Sequence, residues 1–311
     1  MTAALRIGTR GSTLAVTQTQ WAADRLAEAT DRAPEIVRIT THGDVSRASL
    51  SSLGGQGVFA TELREALLAG ECELVVHSLK DLPTAPAPGL EIAAYPERED
   101  ARDALCSSGW ADGAALAELP EGAKVGTGSP RRVAQLLAAR PDLEIRDIRG
   151  NVETRLGFVD SGELDAVVLA CAGLERIGRA DAITERLPLD RFPTAPGQGC
   201  LAIEGRAGDL PEGAREVDDR AARLAVTAER AVLARLEAGC SAPLGATAWL
   251  EGRTLSCSAS VYALDGARSI EATAWEELPE DAQDGDEAAA AELGAALAAE
   301  LLERGARELL R

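Results

Sequence analysis

Short apolar runs alternate with helix-length stretches through the first two thirds of this 311-residue chain, and that alternation constrains the fold more than any other feature. Residues 5–9 read as a strand. Residues 12–29 read as a helix with Ser12 as its N-cap, because a serine just before an apolar-periodic stretch satisfies an orphan helix N–H. Residues 35–40 read as a second strand, 61–69 as a helix and 74–77 as a buried strand. Strand-helix-strand repetition predicts an α/β architecture with a mostly parallel sheet and ligands at the carboxyl ends of the strands.

The pattern then restarts. After a proline-rich passage at 83–88 and a charged connector at 97–103, strands are expected at 104–106, up to Val125, at 145–148 and at 166–170. Helices are expected after Pro130 and from Asn151. Residues 193–199 read as a return crossing, with a strand resuming at 201–203. From Asp218 the character changes to an amphipathic helix at 221–236, alternating strands at 246–250 and 255–261, a hairpin turn near Asp265-Gly266, an acidic loop at 276–287 and a closing helix. The predicted fold class is α/β, with two α/β domains plus a smaller C-terminal α+β domain. The expected division is 1–97 with 198–216, then 98–197, then 217–311. No internal sequence repeat is visible, although the two α/β domains could share one fold.

Charge narrows the function. Against 51 acids stand 32 bases, of which only Lys80 and Lys124 are lysines, and the net charge is -19. Such a surface repels nucleic acid and anionic membranes, so neither is expected as a partner. A Lys-poor, acidic surface suggests adaptation to high salt. No apolar run reaches membrane-spanning length and no secretory pattern opens the sequence, which predicts a soluble, cytoplasmic protein. The six cysteines form no C-x-x-C pair and the two histidines complete no zinc spacing, so no metal site is expected.

Within this acidic chain, six arginines fall between Arg131 and Arg155. Arginine grips carboxylate or phosphate with two parallel donors. GTGSPRR ends a strand, turns, and starts a helix at Pro130, where backbone N–H groups attract anions. Arg149-Gly150-Asn151 ends the next strand, and Arg155 follows one turn later. Arg10-Gly11-Ser12 repeats the arrangement in the first domain. Facing basic edges across a cleft would hold a small polycarboxylate. The strand at 74–77 ends in His77-Ser78-Leu79-Lys80-Asp81, where nearby cations would keep Asp81 ionised for stabilising positive charge. Cys240 sits in a Gly/Pro-bounded loop, either as a reactive thiol or as buried filler.

Taken in order, IGTRGS, THGD, GGQGVF, VVHSLKDLPT, VGTGSPRR, IRGNVETRL, LACAGLERIG, APGQGCLAIE and VTAERAVLARLEAGCSAPLG resemble the porphobilinogen deaminases, also called hydroxymethylbilane synthases. The resemblance runs from Leu5 to about Gly245 and is loose beyond. It implies two domains like those of periplasmic solute-binding proteins and a third, smaller one. It also implies a transferase of tetrapyrrole biosynthesis that joins four porphobilinogens head to tail. Each loses ammonia, and water then releases hydroxymethylbilane. The implied cofactor is dipyrromethane, attached by a thioether to Cys240.

By the same resemblance, Lys80, Asp44, Thr127, Ser129, Arg131, Arg132 and Gly150 bind the cofactor. Arg10, Ser12, Gln18, Phe59, Arg149, Asn151, Arg155 and Arg176 bind substrate. Asp81 is the catalytic residue, contacting pyrrole N–H groups and stabilising positive charge as ammonia leaves. Arg140 and Arg146 match no family contact and are expected to be solvated. The implied partners are porphobilinogen and, for the product, uroporphyrinogen-III synthase, with the enzyme a monomer. Two departures stand out. Ser52 and Gln56 occupy positions in the 45–58 loop where the family commonly has lysine, and Gly128 and Pro130 replace commoner residues in the arginine turn. A non-catalytic solute-binding or sensing module for a small polycarboxylate is the alternative; it would need neither Cys240 nor Asp81.

Overall fold

The computed structural model describes residues 3–40, 60–109, 112–239, 242–279 and 286–310. The chain forms two compact units, Met1–Glu99 with Cys200–Leu224, and Asp100–Gly199 with Ala225–Arg311.

In the first unit, β1 (Leu5–Arg10), α1 (Thr13–Thr30), β2 (Pro34–Ile39), α2 (Thr61–Leu68), β3 (Leu74–Ser78) and β4 (Leu90–Ala94) follow in order. Ser12 caps α1, its hydroxyl accepting from Ala15 N–H at 3.3 Å. A single 3₁₀ turn, Leu79–Asp81, follows β3 directly. Helices cover both faces of the sheet. Ala22, Ala23 and Leu26 of α1 pack with Leu5, Ile7, Leu74 and Val76, while Leu63 and Leu67 of α2 pack with Val75. Alternation along β3 therefore aims Leu74 and Val76 at α1, and Val75 and His77 at the α2 side.

The second unit begins with β5 (Asp103–Ser107), β6 (Lys124–Gly126), α3 (Pro130–Ala139), β7 (Glu144–Arg146), α4 (Val152–Asp160), β8 (Ala166–Ala170), α5 (Cys171–Arg176) and β9 (Glu185–Arg186). β10 (Leu201–Arg206) then returns to the first unit's sheet. The two sheets have orders β2-β1-β3-β10-β4 and β7-β6-β8-β5-β9. In each, three parallel strands are joined to an antiparallel strand from a distant part of the chain and then to a fourth. The two α/β sheets thus share one topology without a sequence repeat, because buried strands require only apolar, β-branched residues and not particular ones.

α6 (Arg220–Arg235) leads to an antiparallel meander of β11 (Leu244–Glu251), β12 (Thr254–Tyr262) and β13 (Ser269–Glu277). Helices α7 (Asp286–Glu303) and α8 (Ala306–Leu309) close the chain. Leu255, Cys257, Ala259 and Val261 alternate inward along β12.

Three local expectations change. The strand expected at 145–148 stops at Arg146, because among the described residues β7 pairs with β6 alone and that ladder ends at Gly126. The acidic run at 276–287 is not all loop. Glu276 and Glu277 complete β13, and Asp286 opens α7 as a buried residue, while 280–285 lie outside the described residues. Arg140 is not simply solvated: it pairs with Asp142 and donates to the Leu116, Leu119 and Pro120 carbonyls, tying the loop before β6 to the end of α3.

Candidate active site

In the first unit the sequence-predicted residues converge at the carboxyl edge of the sheet. Arg10 ends β1, Ser12 caps α1, and Asp81 closes the 3₁₀ turn after β3. These three line one pocket together with Gln18, His77 and Ser78. Gln18 is buried and accepts a 3.0 Å bond from the Ser78 hydroxyl, which fixes its amide. Lys80 precedes Asp81 in the same turn and is half-buried. Asp44 and Phe59 lie outside the described residues, as does the 45–58 loop.

In the second unit the GTGSPRR turn runs from β6 into α3. Thr127 is buried, its N–H donating to Arg146 O, and Ser129 is the N-cap of α3 without a side-chain capping bond. Gly128 passes so close to β7's extension that a Cβ there would lie 2.8 Å from the Ile148 carbonyl oxygen, so the backbone turn tolerates no larger residue.

Arg131 and Arg132 point inward. Both are buried, and both grip Asp103 at the start of β5, each at 2.7 Å. Arg131 Nη1 also donates to Gln135 Oε1 and the Pro193 carbonyl; Arg132 Nη1 donates to the Val168 carbonyl. Gln198 Nε2 adds a 2.8 Å bond to Asp103 Oδ1. Burial alone would push the Asp103 carboxyl up, but the two guanidiniums outweigh it and hold it well below the ordinary carboxylate range.

Among the described residues, two cations against one anion leave this cluster with one uncompensated positive charge, and Arg131 Nε is buried with no hydrogen-bond partner. Unmatched charge and an unmade bond are both costly inside a protein. A ligand carboxylate would relieve both, so the donor set fits a polycarboxylate cofactor.

Arg149, Gly150, Asn151 and Arg155 form a second group in this unit. Asn151 caps α4 by accepting from Thr154 N–H at 2.9 Å, and Arg155 Nε donates to the Gly150 carbonyl at 2.9 Å. Gly150 has φ 111, a region that glycine alone adopts readily. Arg149 is half-exposed, 4.0 Å from Asp147. Arg176, ending α5, donates to Gly199 O at 2.7 Å. Arg146 pairs with Glu144 and remains mostly exposed.

Cys240 lies outside the described residues. The five described cysteines are buried, and burial pushes the Cys106 and Cys171 thiols up to about 12, which makes them poor thiolates.

Sequence reasoning missed Asp103, Gln198 and Glu204. The signal was present for the two acids: each adjoins an apolar run of its strand, Ala104-Leu105-Cys106 after Asp103 and Leu201-Ala202-Ile203 before Glu204. An acid buried in an apolar strand must be paired.

Residues 5–211 match the family model described as porphobilinogen deaminase, dipyromethane cofactor binding domain, and residues 223–303 match porphobilinogen deaminase, C-terminal domain. The chain belongs to the porphobilinogen deaminase family. A porphobilinogen deaminase of Leifsonia xyli subsp. xyli is 57% identical, covering 98% of this chain and 94% of the relative. One from Thermobifida fusca is 52% identical, covering 98% and 95%. Among solved structures, the methionine-binding protein MetQ matches with TM-score 0.43 at 12% identity, over 68% of this chain and 87% of that one.

As a porphobilinogen deaminase, the chain is a transferase of tetrapyrrole biosynthesis that condenses four porphobilinogens with loss of ammonia to give hydroxymethylbilane. Its cofactor is dipyrromethane, which the family attaches to a cysteine. A non-catalytic binding module is not favoured, since the matching families and relatives are those of an enzyme.

Proposed function

We propose that Arg131 and Arg132, with Ser129 and Lys80, hold the cofactor carboxylates, and that Asp44, Thr127 and Gly150 complete the cofactor-binding site. Arg10, Ser12, Gln18, Arg149, Asn151, Arg155 and Arg176 bind porphobilinogen and the lengthening product, the arginines gripping carboxylates, and Phe59 stacks on a pyrrole. The observation that carries the reading is the buried cluster around Asp103, which among the described residues has excess positive charge and an unpartnered Arg131 Nε. Bound dipyrromethane supplies the nucleophilic pyrrole α-carbon.

Asp81 accepts pyrrole N–H groups and stabilises the positive charge that develops as ammonia departs. A carboxylate fixed by a 3₁₀ turn needs little reorganisation, which is where electrostatic catalysis gains most. Arg10, at the rim of the same pocket, orients a substrate carboxylate so that the aminomethyl group faces Asp81.

The same reading makes the enzyme a cytoplasmic monomer with three domains, 1–97 with 198–216, 98–197 and 217–311, and passes its product to uroporphyrinogen-III synthase. Intact-protein mass spectrometry tests the attachment. The chain from a porphobilinogen-competent host carries the added mass of two pyrrole units, and Cys240→Ser does not. An unmodified native chain overturns the assignment of Cys240.

A further inference from the structure

His77 lines the same pocket as Asp81. Nε2 lies 3.0 Å from Glu204 Oε2 on the neighbouring strand β10. Glu204 is buried and is itself clamped by Arg64 of α2, whose Nε and Nη2 reach both carboxylate oxygens at 2.8 to 3.1 Å. Burial would push the Glu204 carboxyl up, but His77 and Arg64 outweigh it and hold it below its ordinary value, so it is ionised. An ionised carboxylate only accepts. Nε2 must therefore carry the hydrogen, and in the neutral ring Nδ1 keeps its lone pair.

The sheet is irregular at this point. β10 shifts register against β4 between Ile203 and Glu204, a kind of defect that re-aims a side chain and recurs beside active sites. Other groups around the pocket are Arg10 of β1 and Asp81 of the 3₁₀ turn; α1 contributes the uncharged Ser12 and Gln18. Arg64 and Glu204 cancel, so the buried assembly is neutral while the imidazole is neutral. A proton arriving at Nδ1 is then stabilised by the Glu204 carboxylate, in the manner of an acid-oriented histidine base.

We propose that His77 is a catalytic base of the condensation, with Glu204 as its positioning residue. When a pyrrole α-carbon has bonded to the incoming methylene, its C–H bond must break so that the electron pair restores the aromatic ring. The proton passes to His77 Nδ1 and from there to the released ammonia, which leaves as ammonium. No oxidant or other co-reactant is needed. This rests on the reading that the first-unit pocket receives substrate.

The test compares His77→Gln with Asp81→Ala. The glutamine amide preserves a donor to Glu204 but has no titrating nitrogen. For His77→Gln, kcat falls by about 100-fold or more with KM within about threefold, and the acid limb of the kcat–pH profile disappears. Unchanged kcat with the acid limb intact overturns the proposal. Substantial activity in Asp81→Ala instead overturns the pocket reading itself.

Imidazole nitrogen NMR gives a readout independent of turnover. The chain has only two histidines, so His42→Asn leaves His77 as a single resonance pair. A neutral His77 found as the Nε2–H tautomer, and losing that preference in Glu204→Gln, supports the proposal. A protonated Nδ1 in the neutral ring overturns it, whether or not His77→Gln folds.

Discussion

At the scale of single residues, Asp103 does more than any other described group to shape the candidate site. One buried carboxylate holds two guanidiniums and a glutamine amide. Asp103→Asn leaves two buried arginines facing a neutral amide, and removing one partner from a buried ion pair costs about 3–5 kcal/mol. The expected outcome is a lowered urea midpoint and loss of the two-pyrrole mass, since Arg131 and Arg132 would lose their fixed positions. The pH dependence has a definite sign. The folded-state pKa is depressed, so the contribution is complete above about pH 4, where the unfolded carboxyl is ionised. It drains away as pH falls toward the folded-state value. Urea unfolding of the wild type between pH 7 and 3 should therefore show an acid loss of stability that is smaller in Asp103→Asn.

Arg131 and Arg132 were legible as anion-competent residues from the GTGSPRR turn. Their inward direction was not, because it depends on an acid 28 and 29 positions earlier in the chain. Asp103 stands out only as an acid in an apolar strand. His77 was visible as part of an ionisable run, but its pairing with Glu204, 127 positions away, arises solely from the antiparallel placement of β10 beside β3.

At the scale of elements, local chemistry marked helix starts well. Ser12 caps α1 as its position predicts, the helix expected from Asn151 starts at Val152 with Asn151 as its cap, and Pro130 sits in the first turn of α3. Strand ends were less legible, as β7 shows, since a strand ends where its neighbour's ladder ends. Helix packing adds a constraint that no propensity scale contains. Gly294 lies in mid-α7 against α6; a Cβ there would clash with the Ala228 carbonyl oxygen and come within 2.8 Å of Ala231 Cβ. Gly→Ala inside an exposed helix stabilises by about 0.5–1 kcal/mol. Here the sign reverses, and Gly294→Ala is expected to destabilise by about 1–3 kcal/mol through overpacking. Denaturant titration reads the sign directly, and a stabilised variant would contradict the close helix contact.

At the scale of the whole molecule, charge dominates. A net charge of -19 with only two lysines gives strong self-repulsion at low ionic strength. Raising KCl to about 1 M shortens the screening length to roughly 3 Å and removes most of that repulsion. The unfolding midpoint should therefore climb as KCl rises from millimolar to molar concentrations. Stability independent of KCl would refute salt adaptation.

The sequence by itself determined the succession of strands and helices, the helix caps, the acidic surface and the ordered motifs that mark the family. All of these are local: propensity, periodicity and turn chemistry act over a few residues. Tertiary structure alone decided which distant strand completes each five-stranded sheet. It also turned Arg131 and Arg132 inward onto Asp103, and brought Glu204 against His77. Those outcomes depend on burial, which makes a charge seek its opposite across any length of chain, and burial exists only once the sheets have assembled.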